Sequence, residues 1–96
     1  MPDMHSQAPQ PVGYVQNASL STAAAITATI PAGSRFAIIQ CAGQQVRWRD
    51  DGTNPTATVG MLMNPGDVLL YDAAELPNLK FIEVAATATL NVSFYA

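Results

Sequence analysis

Between Val46 and Gly60 the chain reads VRWRDDGTNPTATVG, and this stretch sets the fold class as β. It opens on alternation, with Val46 and Trp48 on one side and Arg47 and Arg49 on the other, which is the period of a half-buried strand. It breaks at Asp50-Asp51-Gly52. Aspartate carboxylates accept nearby backbone N–H groups, and glycine reaches positive φ without steric cost. A polar run, Thr53-Asn54-Pro55-Thr56, separates this turn from a second extended run over 58–63.

The rest of the chain follows the same rhythm. Residues 35–41 form a nearly continuous apolar strand, both of whose faces are expected to be covered. Ala42-Gly43-Gln44 is a turn, and Asn64-Pro65-Gly66-Asp67 is a type II turn, with proline presetting φ and glycine supplying φ > 0. A strand is expected over 68–71, a loop over 72–78, and further strands over 81–85 and 89–95. In the last of these Leu90, Val92 and Phe94 alternate with Asn91, Ser93 and Tyr95, the cleanest two-residue period in the chain. The alanine-rich stretch 18–30 reads as two short strands with Leu20, Ile26, Ala28 and Ile30 facing in, against a competing helix over Ser21–Ala25. Residues 1–17, with three prolines, three glutamines and few aliphatics, read as an extended N-terminal arm whose anchors are Tyr14 and Val15. Residues 18–96 then form a single domain. Short strands at spacings near ten residues, separated by Gly and Pro turns, indicate an all-β fold: a small antiparallel β-sandwich or jelly-roll-like barrel.

Charge narrows the function classes. Charged residues make up 11% of the chain, against roughly 25% in ordinary soluble domains. Its surface is therefore built largely from neutral side chains, which protect weakly against association. Four cations and a net charge of −3 supply no basic stripe for phosphate neutralisation, so no nucleic-acid partner is expected. No apolar run approaches the ~18 residues of a membrane span. The N-terminus lacks the basic and apolar regions of a signal peptide, which points to synthesis in a cytoplasm. One cysteine, Cys41, excludes an internal disulfide framework and reads as a buried small hydrophobe.

No catalytic set assembles from these residues. The one histidine, His5, lies in the arm, so neither a zinc spacing nor a Ser-His-Asp or Cys-His arrangement is available. Asp50, Asp51 and Asn54 fall short of an EF-hand ligand series and read as turn chemistry. The carboxylates Asp50, Asp51, Asp67, Asp72, Glu75 and Glu83 have no aromatic-walled sugar cleft bracketing them. We expect no enzyme, no cofactor and no metal. What stands out is the concentration of four charges in residues 47–51: Arg47, Arg49, Asp50 and Asp51. These read either as a solvated strand face with weak ion pairs or as an inter-subunit contact with partly desolvated Arg–carboxylate pairs.

The block VRWRDDGTNPTATVG, the following GMLMNPGDVLLY and the closing LKFIEVAATATLNVSFYA resemble a group of short structural proteins of tailed phages and prophages. The resemblance covers residues 32–96 and transfers no site residues. It implies a virion-associated β-domain without catalysis. Together with the low charge and the extended arm, it leads us to expect a capsid decoration (cement) protein on the virion surface. Its expected partners are the major capsid protein and copies of itself as dimer or trimer, with Tyr14, Val15, Arg47, Arg49, Asp50 and Asp51 as contact candidates. A tail, baseplate or fibre component is the alternative within the virion. A carbohydrate-binding module that stacks sugars on Trp48, Tyr71 and Tyr95 is the alternative outside it.

Overall fold

The computed structural model describes residues 10–18, 20–25 and 30–96. Within them the chain is all-β, in two antiparallel four-stranded sheets. In chain order the strands are β1 (Pro11–Asn17), β2 (Ala24–Ala25), β3 (Phe36–Ala42), β4 (Val46–Arg49), β5 (Met61–Met63), β6 (Val68–Asp72), β7 (Lys80–Glu83) and β8 (Thr89–Tyr95). One sheet has the order β1-β8-β3-β6 and the other β2-β7-β4-β5.

Alternation decides which side of each strand is inside. On β8, Leu90, Val92 and Phe94 are sealed from solvent, and on β3 so are Ala37, Ile39 and Cys41. The second sheet contributes Val46, Met63 and Phe81 to the same core. Leu20, Leu76, Leu79 and Ala88 close it from the connections. Burying each large side chain here contributes about 1.5–3 kcal/mol before chain entropy is subtracted. The expectation that both faces of the third strand are covered holds only on one side, because Gln40 is exposed and Ile38 is half-buried.

Several boundaries differ from the sequence reading, each for a local reason. Pro11–Asn17, assigned above to the arm, is strand β1: it pairs along β8 from Pro11↔Tyr95 to Asn17↔Leu90, with a bulge between Pro11 and Gly13. Pro11 costs β1 little, because the strand lies at the sheet margin and Pro11 stands at its first position. The arm residues before Gln10 lie outside the described residues, as do Ile26 and Ala28 of the stretch 18–30. In that stretch the competing helix does not form: Ala24–Ala25 pair with β7, and Leu20 is buried.

The 72–78 loop is instead a 3₁₀ helix over Ala73–Asn78. Asp72 caps it by accepting the Ala74 N–H (3.1 Å), and buried Leu76 pins its inner side. The run expected over 58–63 shortens to Met61–Met63, because Thr56 and Val59 bond each other's backbones (2.9 and 3.3 Å) and fold the preceding residues into a tight turn. The type II turn is present: Gly66 has φ +95°, and the Asp67 N–H reaches the Asn64 carbonyl at 2.9 Å.

Candidate interaction surfaces

The two sheets present different chemistry. The strands β1, β8, β3 and β6 contain one charged residue, Asp72, which sits at the end of β6 and is engaged as the helix cap. The much shorter strands of the other sheet carry Arg47, Arg49, Lys80 and Glu83. This segregation is absent from the composition and emerges only when the strands are sorted into sheets.

The outward face of the neutral sheet forms one surface. Tyr14 and Leu70 are each 64% exposed and Val68 59%, with Ile38 half-buried between them. Amide side chains run across the middle. The Tyr14 hydroxyl donates to Asn91 Oδ1 (2.7 Å), Gln16 Nε2 donates to the same oxygen (3.1 Å), and Asn91 Nδ2 donates to Gln40 Oε1 (3.4 Å). Tyr14, Ile38, Gln40, Val68, Asn91 and Ser93 enclose a shallow depression here. Val15, the other expected anchor, is half-buried, points the opposite way and packs against the core.

A second surface lies around the 47–61 stretch. Arg47 faces outward, yet its guanidinium is turned onto its own chain, donating to the Gly60 carbonyl (2.9 Å) and the Ala57 carbonyl (3.2 Å). It holds the polar loop against β4 with two of its five N–H donors. Arg49 pairs in bidentate fashion with Asp51, Nε to Oδ1 at 3.0 Å. That pair holds the Asp51 carboxyl below its ordinary range and the Arg49 guanidinium above its own, with Asp51 exposed and Arg49 half-buried. Asp50 takes a different partner and accepts from the Tyr71 hydroxyl. This bond is the leading reason that the phenol is pushed up to about 12. Beside these charges Met61 (59%), Val59 (50%) and Leu62 (44%) are exposed, and Arg49, Asp50, Asp51, Val59, Gly60 and Met61 line an open depression.

The six expected contact residues therefore do not converge. Tyr14 stands on the neutral sheet, Val15 against the core, and Arg47, Arg49 and Asp51 on the other sheet and its loop, with Asp50 bridging to β6. The exposed aliphatics Met61, Leu62, Val68 and Leu70 were not singled out from the sequence. Their runs read simply as strand, and nothing in them shows which sheet margin they occupy.

The aromatic rings form no common platform. Trp48 meets Tyr71 edge to face at 6.4 Å and 71°, while Tyr95 stacks on Phe36 at 5.2 Å. Cys41 is buried and hydrogen-bonds the Gln44 carbonyl (3.0 Å). Burial raises its thiol, away from the reactive thiolate. Among the described residues no group of three or more His, Cys, Asp or Glu side chains is placed to hold a metal ion, and no helix is long and apolar enough to cross a membrane. His5 lies outside the described residues. Comparison with protein families, curated proteins and solved structures returned no match.

Proposed function

We propose that the chain is a phage virion structural protein, a capsid decoration (cement) protein that binds the lattice of the major capsid protein and stabilises the head. We propose further that its two sheets pack as a jelly-roll sandwich. Strand order supports this fold. Sheets ordered β1-β8-β3-β6 and β2-β7-β4-β5 are the interleaving that two Greek keys produce when wound together, an architecture used by capsid and lectin domains alike. Fold alone does not select between those uses.

The observation that carries the functional reading is the surface. Large hydrophobic side chains stand exposed on both sheets, with Tyr14, Val68 and Leu70 on one and Met61 and Leu62 on the other. The chain has only 11% charged residues to keep neighbours apart. Surfaces of this kind mark protein interaction sites. In this reading Met61 and Val59, which line one depression with Arg49 and Asp51, form an apolar contact with the capsid lattice, and the Arg49–Asp51 pair orients it. The sugar-binding alternative loses support because Trp48, Tyr71 and Tyr95 are engaged with other rings.

Copy number tests the proposal. The ratio of this protein to the major capsid protein in purified virions is measured by quantitative mass spectrometry. Hundreds of copies per particle are expected for a lattice-bound cement protein. A few to a few dozen would move the protein to the tail or portal vertex, and none at all would overturn the virion reading.

A further inference from the structure

We propose that two copies of this chain pair face to face through the outer surface of the β1-β8-β3-β6 sheet, about a two-fold axis running along the strands between β8 and β3. The inference deepens the reading that copies of the chain associate, and it rests on that part of the reading alone.

The first ground is charge. With one charged residue at its rim, this face offers nothing to a charged partner, whose groups would lose water without gaining a counter-charge. A neutral face is matched by another neutral face, and a second copy supplies one.

The second ground is layout. The registers place Tyr14, Ser93, Ile38 and Leu70 in one row across the sheet. Gln16, Asn91, Gln40 and Val68 form the next row. Tyr14 therefore stands at the β1 margin and the exposed aliphatics at the β6 margin, with the amides and, one row further on, the half-buried Phe36–Tyr95 stack between them. A two-fold axis along the middle of the sheet exchanges β1 with β6 and β8 with β3. Each Tyr14 then lies over Leu70 and Val68 of the other copy, and each Asn91 over a Gln40. Carboxamides carry donors and acceptors together, so amides facing their own copies can satisfy one another. Such an isologous contact closes at two copies.

Size sets the strength. Four strands about 4.8 Å apart and five to seven residues long give a face of roughly 400 Å² per copy. The total of roughly 800 Å² lies below the ~1,200 Å² of stable specific interfaces, in the range of weak, transient contacts, so the dimer is expected to dissociate on dilution.

Sedimentation velocity of the purified full chain, from low micromolar to near-millimolar concentration, tests the pairing. A monomer–dimer equilibrium is expected. Tyr14→Lys and Leu70→Glu should each raise the dimer dissociation constant at least about 100-fold by burying two unmatched charges. At concentrations where wild type and variants are all monomeric, their thermal melts should agree, because both side chains are 64% exposed. If Leu70→Glu fails to fold, Val68→Glu replaces it on the β6 margin; if Tyr14→Lys fails, Gln16→Lys replaces it on the β1 margin.

An equimolar mixture of the two variants should recover the dimer. Across one half of the axis the introduced lysine meets the introduced glutamate, and the native Tyr14–Leu70 contact remains in the other half. A chain that stays monomeric throughout, a dimer that neither charge weakens, or a mixture that does not recover would overturn the pairing. A monomer that uses this face for a glycan or for capsid protein would overturn it equally. The experiment contains no capsid, so a negative result leaves the decoration reading standing. Absence from virions would, in turn, leave a measured dimer intact.

Discussion

At the scale of single residues, the 47–51 cluster shows how little a charge-rich stretch says before its partners are known. Arg47 is committed to two carbonyls of its own loop, and its role is local architecture. The planar guanidinium fork suits two diverging carbonyls in a way a lysine ammonium does not. Asp50 acts through Tyr71. Its carboxylate accepts the phenolic proton, so removing that proton sets two negative charges side by side. The Tyr71 phenol is accordingly pushed up to about 12 from an ordinary value near 10. The folded state thus holds this proton more tightly than the unfolded chain. Its contribution to stability is complete below about pH 10 and is lost as pH rises through the folded value of about 12. Absorbance at the tyrosinate band, taken as the difference between wild type and Tyr71→Phe, should show a transition near pH 12. Asp50→Asn should shift that transition down toward 10, and a transition that does not move would show that the carboxylate is not its cause.

At the scale of elements, turns decide where strands end. Gly43 sits between β3 and β4 with φ +81°, and a β-carbon added there would stand 2.8 Å from the Thr87 carbonyl oxygen. The neighbour is backbone and cannot swing away, and the conformation is one that only glycine adopts cheaply. Gly43→Ala should therefore destabilise the fold by about 1–3 kcal/mol. Chemical denaturation reads this as a lower midpoint with unchanged slope. Gly66→Ala is the useful contrast: a β-carbon there meets open space, so its cost is conformational alone and should be the smaller. The 3₁₀ helix teaches the complementary point. Its residues have no helical period to detect, and its proline argues for a loop; Asp72 as cap and Leu76 as anchor form it all the same.

At the scale of the whole molecule, the core is shared between sheets that differ in charge. Trp48 on β4 and Tyr71 on β6 meet edge to face, joining the sheets at the end where the 47–61 loop lies. Such contacts contribute about 0.5–1.5 kcal/mol beyond area burial. Trp48→Ala should cost about 3–5 kcal/mol of stability, measured by thermal or denaturant unfolding. A sugar-binding role for this ring predicts the opposite, a fold of unchanged stability that has lost a ligand. One side of the molecule is neutral and amide-lined, while the other mixes apolar side chains with paired charges.

The linear chain by itself determined the β class, the phase of the strands and most of the turns. These depend on neighbours two to four residues apart: Leu90, Val92 and Phe94 share one side whatever they pack against, and Pro65-Gly66 turns wherever it is placed. Only the tertiary structure decided which strands are neighbours and what their side chains do. That Pro11–Asn17 is a strand depends on β8, nearly eighty residues away. That Arg47 is a loop clamp depends on carbonyls ten and thirteen residues on. The neutral face exists because β1, β3, β6 and β8 lie side by side. Pairing of distant strands is set by the balance of burial and loop closure over the whole chain, and no local pattern carries it.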